Sequence, residues 1–240
     1  MAKKFLIIKV GNTVESLLDQ GCDFEDWFIA GLGLEPGEVL VCSLHLGESL
    51  PPIDSVLGIV ITGSAAYVTE EEPWNFIGAD FIRVAHQRAI PMLGVCYGHQ
   101  LIAWTFGGRV DFHPEGREIG TVSIRLTAAG KEDALLGELP DPFIAQASHK
   151  QSVMQLPDGA VHLAANEFDV HHAFRLGTST WGVQFHPEFD DDIIRAYLLE
   201  RRETLLAEGL DVEALLNAVA PTPQAGALLR SFARFAQNLV

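Results

Sequence analysis

The stretch "GVCYGHQ", residues 94–100, places a cysteine between an apolar run and a segment of helical character. The run before it, "PMLGV", is entirely apolar, as expected for a parallel strand covered on both faces. Gly94 and Gly98 stand two residues before and two after Cys96, so a strand and a helix can approach each other closely there. The pattern predicts a strand–turn–helix elbow that presents Cys96 as a nucleophile at the carboxyl edge of a sheet. The alternative is that Cys96 is a small core residue, which is common for a free cysteine.

Short β-rich runs alternate with helical segments on both sides of this elbow. The predicted buried strands before it are 5–10, 39–44 and 57–62. Residues 74–89 repeat apolar side chains at helical spacing, and shorter, partly antiparallel strands are predicted around 110–126 and 143–185, followed by helices after Glu188. This alternation predicts an α/β fold, a three-layer α/β/α sandwich with a mostly parallel central sheet.

The composition limits the classes of function. The chain has 240 residues, of which 48% are hydrophobic, and a formal net charge of −16. Such a charge repels phosphate backbones and anionic lipid surfaces, so neither nucleic acid nor a membrane is an expected partner. The apolar run near the N-terminus is too short for a signal peptide, and three cysteines do not form a disulfide framework, so we expect a cytoplasmic protein. We predict a single domain over 1–240, with a core of about 1–190 and a C-terminal helical extension over 191–240.

A histidine and a carboxylate in "WGVQFHPEF" could activate the thiol. His186 ends an alternating strand and Glu188 follows two residues later, so in an extended chain both side chains point to the same side. The carboxylate can then bind one ring nitrogen while the other faces the sulfur, and Pro187 keeps the backbone between them extended. The alternative is that His-Pro-Glu forms only a turn at a strand end.

Attack on an amide carbonyl also requires donors for the developing oxyanion. The backbone N–H of Tyr97, at the head of the helix after the elbow, is one candidate. The second is the backbone N–H of Gly63, in the Thr-Gly-Ser corner where the strand in "GIVITGS" ends. A glycine in such a corner is also compatible with a plain turn.

Taken together, these motifs resemble the class I glutamine amidotransferases, glutaminases with a cysteine-histidine-glutamate triad. "GVCYGHQ", "GVQFHPE" and "GIVITGS" are similar to that family's nucleophile, histidine-glutamate and oxyanion motifs, in the same order. Through "FGGRV", "GREIG" and "ASHKQSV", the chain is most similar to stand-alone proteins related to the amidotransferase half of GMP synthase. The resemblance implies a flavodoxin-like fold and a small γ-glutamyl substrate.

The resemblance also implies a role for individual residues. It implies Cys96 as the nucleophile, His186 as general base and then acid, and Glu188 as the group that orients His186. The other implied residues are Gly63 and Tyr97 for the oxyanion amides, and Gln100, Ser148 and His149 for the substrate pocket. The chain departs from the family pattern at two places. Lys150 and Gln151 replace the usual glycine and aspartate, and the corner is Thr-Gly-Ser instead of Gly-Gly-Pro, so the motifs specify the chemistry more closely than the substrate.

The remaining polar motifs have simpler interpretations. His171 and His172 are adjacent, so in a strand they point apart, which favours a solvated hairpin over a metal site. Arg117 and Glu118 in "GREIG" suggest a surface ion pair. No phosphate-binding loop or dinucleotide fingerprint occurs in the sequence, and we predict neither a metal site nor a cofactor.

Three functions are compatible with these features. The first is a hydrolase that cleaves the γ-amide of glutamine or of a γ-glutamyl compound through a cysteine thioester. The second is a glutaminase subunit that supplies ammonia to a separate synthetase chain. The third is a catalytically silent binding or regulatory module, against which the complete cysteine-histidine-glutamate set argues.

Overall fold

The computed structural model describes residues 3–239 as one large sheet with helices on both faces. The strands are β1 (Lys4–Lys9), β2 (Val39–Ser43), β3 (Val56–Ile61), β4 (Met92–Val95), β5 (Arg109–Phe112), β6 (Glu118–Leu126), β7 (Phe143–His149), β8 (Gln151–Gln155), β9 (Val161–Ala165), β10 (Ala173–Leu176) and β11 (Thr180–Val183). The α-helices are α1 (Glu15–Leu18), α2 (Phe24–Leu32), α3 (Pro73–Gln87), α4 (Tyr97–Thr105), α5 (Ala128–Lys131), α6 (Asp191–Glu200), α7 (Arg202–Ala207), α8 (Val212–Ala218) and α9 (Pro223–Gln237).

The sheet has nine strands in the order β2-β1-β3-β4-β11-β10-β9-β6-β7. The first five run parallel, and β10, β9, β6 and β7 extend the sheet with antiparallel pairing. Strands β5 and β8 form a separate antiparallel pair. The predicted α/β class with a mostly parallel central sheet is thereby confirmed, as are the shorter antiparallel strands expected after the elbow.

Strand β1 shows why the fold has three layers. Phe5 and Ile7 are buried in the core that includes α2 and α9, whereas Leu6 and Ile8 are buried in the core that includes α3 and α4. Because successive strand residues point to opposite faces, an uninterrupted apolar run requires a helical layer on each side.

The C-terminal helices contribute to the main core. Helix α9 packs against α2, and its buried Phe232 lies 6.4 Å from Trp181 of β11, between ring centres. Within residues 3–239, no helix combines the length and the apolar character that crossing a membrane requires.

Candidate active site

Cys96 lies in a sharp turn between β4 and α4. Its backbone has φ 51° and ψ −101°, a region that non-glycine residues rarely occupy. A Cβ at Gly98 would lie 2.5 Å from the Ile61 carbonyl oxygen, and one at Gly94 would overlap the Gly98 carbonyl. The two glycines therefore permit the close strand–helix approach that the sequence predicts, and Cys96, 5% exposed, lies at the carboxyl end of β4.

The pairing of β11 with β4 brings the histidine to the cysteine. Val183 lies opposite Val95 in the parallel register, and the Cys96 N–H donates to the Val183 carbonyl at 2.9 Å. His186 follows three residues after Val183 and lines the same cavity as Cys96. Two strands that are distant in sequence thus end beside each other, as the carboxyl ends of neighbouring parallel strands do.

The imidazole of His186 is fixed by a carboxylate and by aromatic rings. Its Nδ1 lies 2.7 Å from Glu188 Oε1, and both side chains are buried. The ring stacks on Phe189 with 4.1 Å between centres, and the ring of Phe24 lies nearly parallel to both, 6.5 Å from His186 and 6.2 Å from Phe189. The Glu188 carboxylate accepts a hydrogen bond from the Nδ1–H group, which leaves Nε2 as the nitrogen available for proton transfer.

The thiol and the imidazole shift each other's titration. Burial alone would raise the pKa of Cys96, but the charge of His186 and hydrogen bonding to it lower that pKa below its ordinary value. Burial likewise opposes charge on His186, yet the charges of Glu188 and Cys96 raise the pKa of its imidazole. Each group therefore favours the charged form of the other, the thiolate of Cys96 and the imidazolium of His186.

The other predicted residues lie around the same centre. Tyr97 is the first residue of α4, so its N–H has no acceptor within the helix. Gly63 packs against the imidazole, because a Cβ there would lie only 2.9 Å from His186 Cε1. A cavity of about 50 Å³ adjoins the sulfur, and the predicted residues that line it are Cys96, Tyr97, Gln100, Ser148, His149 and His186.

The pocket side chains are held by buried hydrogen bonds. Gln100 Nε2 donates to the Gln151 carbonyl at 2.7 Å and to Gln184 Oε1 at 3.0 Å. The Cys96 thiol lies 3.8 Å from the Ser148 carbonyl oxygen. Because its amide donors are engaged within the protein, Gln100 is positioned before any ligand enters.

A buried carboxylate–imidazole cluster beside the pocket was not predicted from the sequence. Glu118 Oε2 lies 2.9 Å from His149 Nε2 and 3.0 Å from His172 Nε2, while Asn166 donates to the other carboxylate oxygen at 2.6 Å. Burial opposes ionisation of Glu118, but hydrogen bonds from both imidazoles hold the pKa of its carboxyl well below the usual range. Burial also opposes charge on His149, yet Glu118 raises the pKa of its imidazole.

This cluster corrects two interpretations of the sequence. His172 is completely buried instead of lying in a solvated hairpin, and His171 is half-buried, with Nδ1 2.6 Å from the Val153 carbonyl oxygen. Arg117 does not pair with Glu118, because its Nε donates to Glu208 at 2.8 Å. Neighbouring residues of an extended chain point to opposite sides, so adjacent opposite charges do not form a pair there.

The same cluster has the donor set of a metal site. Within residues 3–239, Glu118, His149 and His172 form the group of candidate ligands whose atoms lie within 4.8 Å of one another. Both imidazole nitrogens, however, already lie at hydrogen-bonding distance from a single carboxylate oxygen. Hydrogen bonds therefore account for the arrangement of the three side chains.

The sequence matches one protein family and several known relatives. Residues 49–202 match the family model described as glutamine amidotransferase class-I. The chain is 31% identical, over 198 residues, to a gamma-glutamyl-L-1-hydroxyisopropylamide hydrolase from a Pseudomonas species, and the match covers 79% of this chain and 66% of that protein. It is 30% identical over 154 residues to the glutamine-hydrolyzing GMP synthase subunit from Methanococcus vannielii, covering 64% of this chain and 75% of that one.

Longer relatives match over only part of their length. The GMP synthase of Porphyromonas gingivalis is 33% identical over 174 residues, but the match covers 71% of this chain and 31% of that protein. Among solved structures, a glutamine amidotransferase from Thermotoga maritima has a TM-score of 0.76 at 20% identity, covering 98% of this chain and 99% of that one. A glutamine amidotransferase from Methylobacillus flagellatus has a TM-score of 0.68 at 25% identity, covering 100% and 93%.

Proposed function

Because this chain belongs to the class-I glutamine amidotransferase family, we propose that it hydrolyses the γ-amide of glutamine or of another γ-glutamyl compound through a thioester on Cys96. The observation that carries the proposal is the strained elbow at Cys96 beside an imidazole whose Nδ1 is held by Glu188. A conformation that costs free energy persists where the surroundings enforce it, and such sites cluster at active centres.

The first half-reaction forms the thioester. The Cys96 thiolate attacks the γ-carbonyl carbon, and the carbonyl electron pair moves onto oxygen, where the N–H groups of Tyr97 and Gly63 stabilise the oxyanion. Collapse of this intermediate breaks the carbon–nitrogen bond. His186 gives its Nε2 proton to the departing nitrogen, which leaves as ammonia or as a free amine.

The second half-reaction releases glutamate. His186, now neutral, takes a proton from water, and the resulting hydroxide attacks the thioester carbon. The carbon–sulfur bond breaks, the thiolate returns, and His186 is again protonated. Glu188 keeps the imidazole in one tautomer and orientation throughout, without itself taking the proton.

The substrate pocket follows from the same assignment. Gln100, Ser148 and His149 lie on the side of the sulfur formed by α4 and β7, and we assign this side to the γ-glutamyl group. The hydrogen bonds that already hold Gln100 reduce the conformational freedom lost when a substrate binds.

A second candidate function is a glutaminase that supplies ammonia to a separate synthetase chain. The observation that favours it is the match to the Methanococcus vannielii GMP synthase subunit over 75% of that protein. A glutaminase of this kind should show weak activity by itself and much stronger activity with its synthetase. A hydrolase should be fully active alone on its own γ-glutamyl substrate.

The chemistry can be tested with one variant and one control. Cys96→Ala should abolish turnover of glutamine, γ-glutamyl dipeptides and glutathione, together with labelling by a glutamine-analogue diazoketone. Cys22→Ala removes an exposed thiol outside the site and should retain both properties. Labelling of another residue in Cys96→Ala would contradict the thioester assignment, and a native chain that neither labels nor turns over any γ-glutamyl compound would favour the silent module.

A further inference from the structure

The cavity beside Cys96 has a second side, formed by the N-terminal loop and α2 and by the chain around α6. Ring contacts connect His186 to this side. Its imidazole stacks on Phe189, whose ring centre lies 4.9 Å from that of Tyr197. The guanidinium carbon of Arg201 lies 5.4 Å from the centre of the Tyr197 ring, and Arg201 lines the cavity.

Arg201 has no acidic partner. Among the residues that the structure describes, no carboxylate oxygen lies within 4.0 Å of its guanidinium, and its buried Nε has no hydrogen-bond acceptor. The preceding residue, Glu200, is engaged elsewhere, because it accepts from the backbone N–H groups of Glu15 and Ser16 at 2.9 Å.

The other arginine and lysine that line the cavity share one carboxylate. Arg117 donates to Glu208 at 2.8 Å, and Lys150 forms an ion pair with the same carboxylate. These two cations lower the pKa of Glu208 to about 2, with the Arg117 hydrogen bond as the main cause. Among the described arginine and lysine side chains that line the cavity, Arg201 is thus the one without a carboxylate within 4.0 Å.

We propose that Arg201 binds a carboxylate on the leaving group of the substrate, so that the substrate is a γ-glutamyl amino acid or peptide instead of free glutamine. The inference rests on the proposed thioester mechanism, in which His186 protonates the departing amine. That amine must lie beside His186, and the rings of Phe189 and Tyr197 connect His186 to Arg201. The reaction is then hydrolysis of a γ-glutamyl peptide bond by one water, giving glutamate and an amino acid or shorter peptide.

Guanidinium chemistry suits this role. Its planar donors match both oxygens of a carboxylate, and charge-assisted hydrogen bonds of this kind are stronger than neutral ones. The net charge of −16 opposes the approach of an anionic substrate, so a local cation at the cavity is needed to attract it. Free glutamine offers no group at this position, since its leaving group is ammonia.

Binding can be measured without turnover in a Cys96→Ala background. The ligands are γ-glutamyl-alanine and γ-glutamyl-alaninamide, which differ only in the charge of the leaving-group terminus. By calorimetry, γ-glutamyl-alanine should bind about 10- to 100-fold more tightly than the amide, as expected for hydrogen bonds to a charged group. Arg201→Gln should abolish that difference, and Arg201→Lys should retain part of it.

The adjacent arginine provides a matched control. Arg202 is ion-paired with Glu213 and does not line the cavity. Arg202→Gln should therefore leave both affinities within about twofold of the Cys96→Ala parent, a change smaller than one hydrogen bond to a charged group would produce. Thermal unfolding of all variants identifies any that bind weakly because they are misfolded.

Turnover in the otherwise native chain separates this inference from the proposed function. Arg201→Gln should raise KM for γ-glutamyl-alanine about 10- to 100-fold and leave KM for glutamine nearly unchanged. An equal loss on both substrates would mean that Arg201 binds a group common to them, and no loss on either would mean that it binds neither; each result overturns the inference. If no γ-glutamyl compound is hydrolysed, the proposed function fails, while the binding comparison still decides whether Arg201 recognises the carboxylate.

Discussion

The backbone strain at Cys96 gives a prediction that is independent of substrate. Cys96 has φ 51° and ψ −101°, a conformation in which a Cβ is crowded by the backbone. Residues in such regions cost about 1 to 3 kcal/mol, which glycine does not incur. We therefore compare Cys96→Gly with Cys96→Ala, since both remove the thiol and only alanine retains the Cβ.

The expected difference is a balance of three contributions. Relief of strain favours glycine by about 2 kcal/mol, the middle of the usual range. Loss of one buried methyl group costs about 0.8 kcal/mol, and the greater freedom of glycine in the unfolded chain costs about 0.7 kcal/mol. Cys96→Gly should thus be as stable as Cys96→Ala, or more stable by about 0.5 kcal/mol, by urea denaturation.

Ala103→Gly is the matched control, because Ala103 is buried in α4 and has no such strain. At this position, the loss of the methyl group and the penalty for glycine inside a helix should together lower the free energy of unfolding by about 2 kcal/mol. With a denaturant slope of roughly 3 kcal/mol per molar urea, the control midpoint should fall by about 0.7 M, whereas the two Cys96 variants should nearly coincide. If Cys96→Gly lost as much stability relative to Cys96→Ala as the control loses, the reasoning from strain would be refuted.

Three further predictions concern charge. His186→Ala should raise the pKa of the Cys96 thiol above its ordinary value, because burial would then act without the imidazolium. The pH midpoint of the thiolate absorbance should therefore lie higher in the variant than in the parent, with Cys96→Ala as the blank. Glu188→Gln should reduce kcat less than His186→Ala does, and equal losses would argue that Glu188 takes a proton itself. Glu118→Gln should lower the free energy of unfolding by about 3 kcal/mol at neutral pH, since it removes the anion that favours the charged form of the buried His149 imidazole. Because the folded-state pKa of Glu118 is depressed, this difference should shrink as acid protonates the parent carboxylate, and a pH-independent difference would contradict the charge argument.

The elbow could be predicted from sequence because its determinants are local. Gly94, Cys96 and Gly98 lie within five residues, and glycine at position 94 is required by the Gly98 carbonyl of the same strand–turn–helix unit, although Gly98 also makes room for Ile61 of the neighbouring β3. The pairing of His186 with Glu188 is similarly local, because it needs only an extended backbone between them. The cysteine elbow and the His186–Glu188 pair meet because β11 pairs with β4. The sequence indicated that a strand ends at each of the two motifs, but no pattern in it specified that these strands are neighbours.

The carboxylate–imidazole cluster could not be predicted, because its members come from three separate parts of the chain. Glu118 begins β6, His149 ends β7, and His172 precedes β10. The pairing of β6 with β7 places Glu118 opposite His149. A sequence pattern indicates whether a residue type is usually exposed, but not which residue of another strand lies opposite it. A histidine or glutamate in isolation favours the surface, and burial becomes acceptable only when the partner is supplied by the fold.

The distribution of charge around the cavity connects these observations to the choice of substrate. Glu188 lies 2.7 Å from the imidazole of His186 and Glu118 lies 2.9 Å from that of His149, so each of these buried imidazoles has a carboxylate partner within the folded chain. Arg201 has no such carboxylate among residues 3–239, although the chain has twice as many acidic as basic residues. A cation left unmatched beside a cavity gains the most from an anion that the ligand brings, because the protein has no competing partner to displace. Substrate discrimination would then depend on Arg201 and not on the groups that perform the chemistry, which is why its variants should change KM for one class of substrate and leave kcat nearly unchanged.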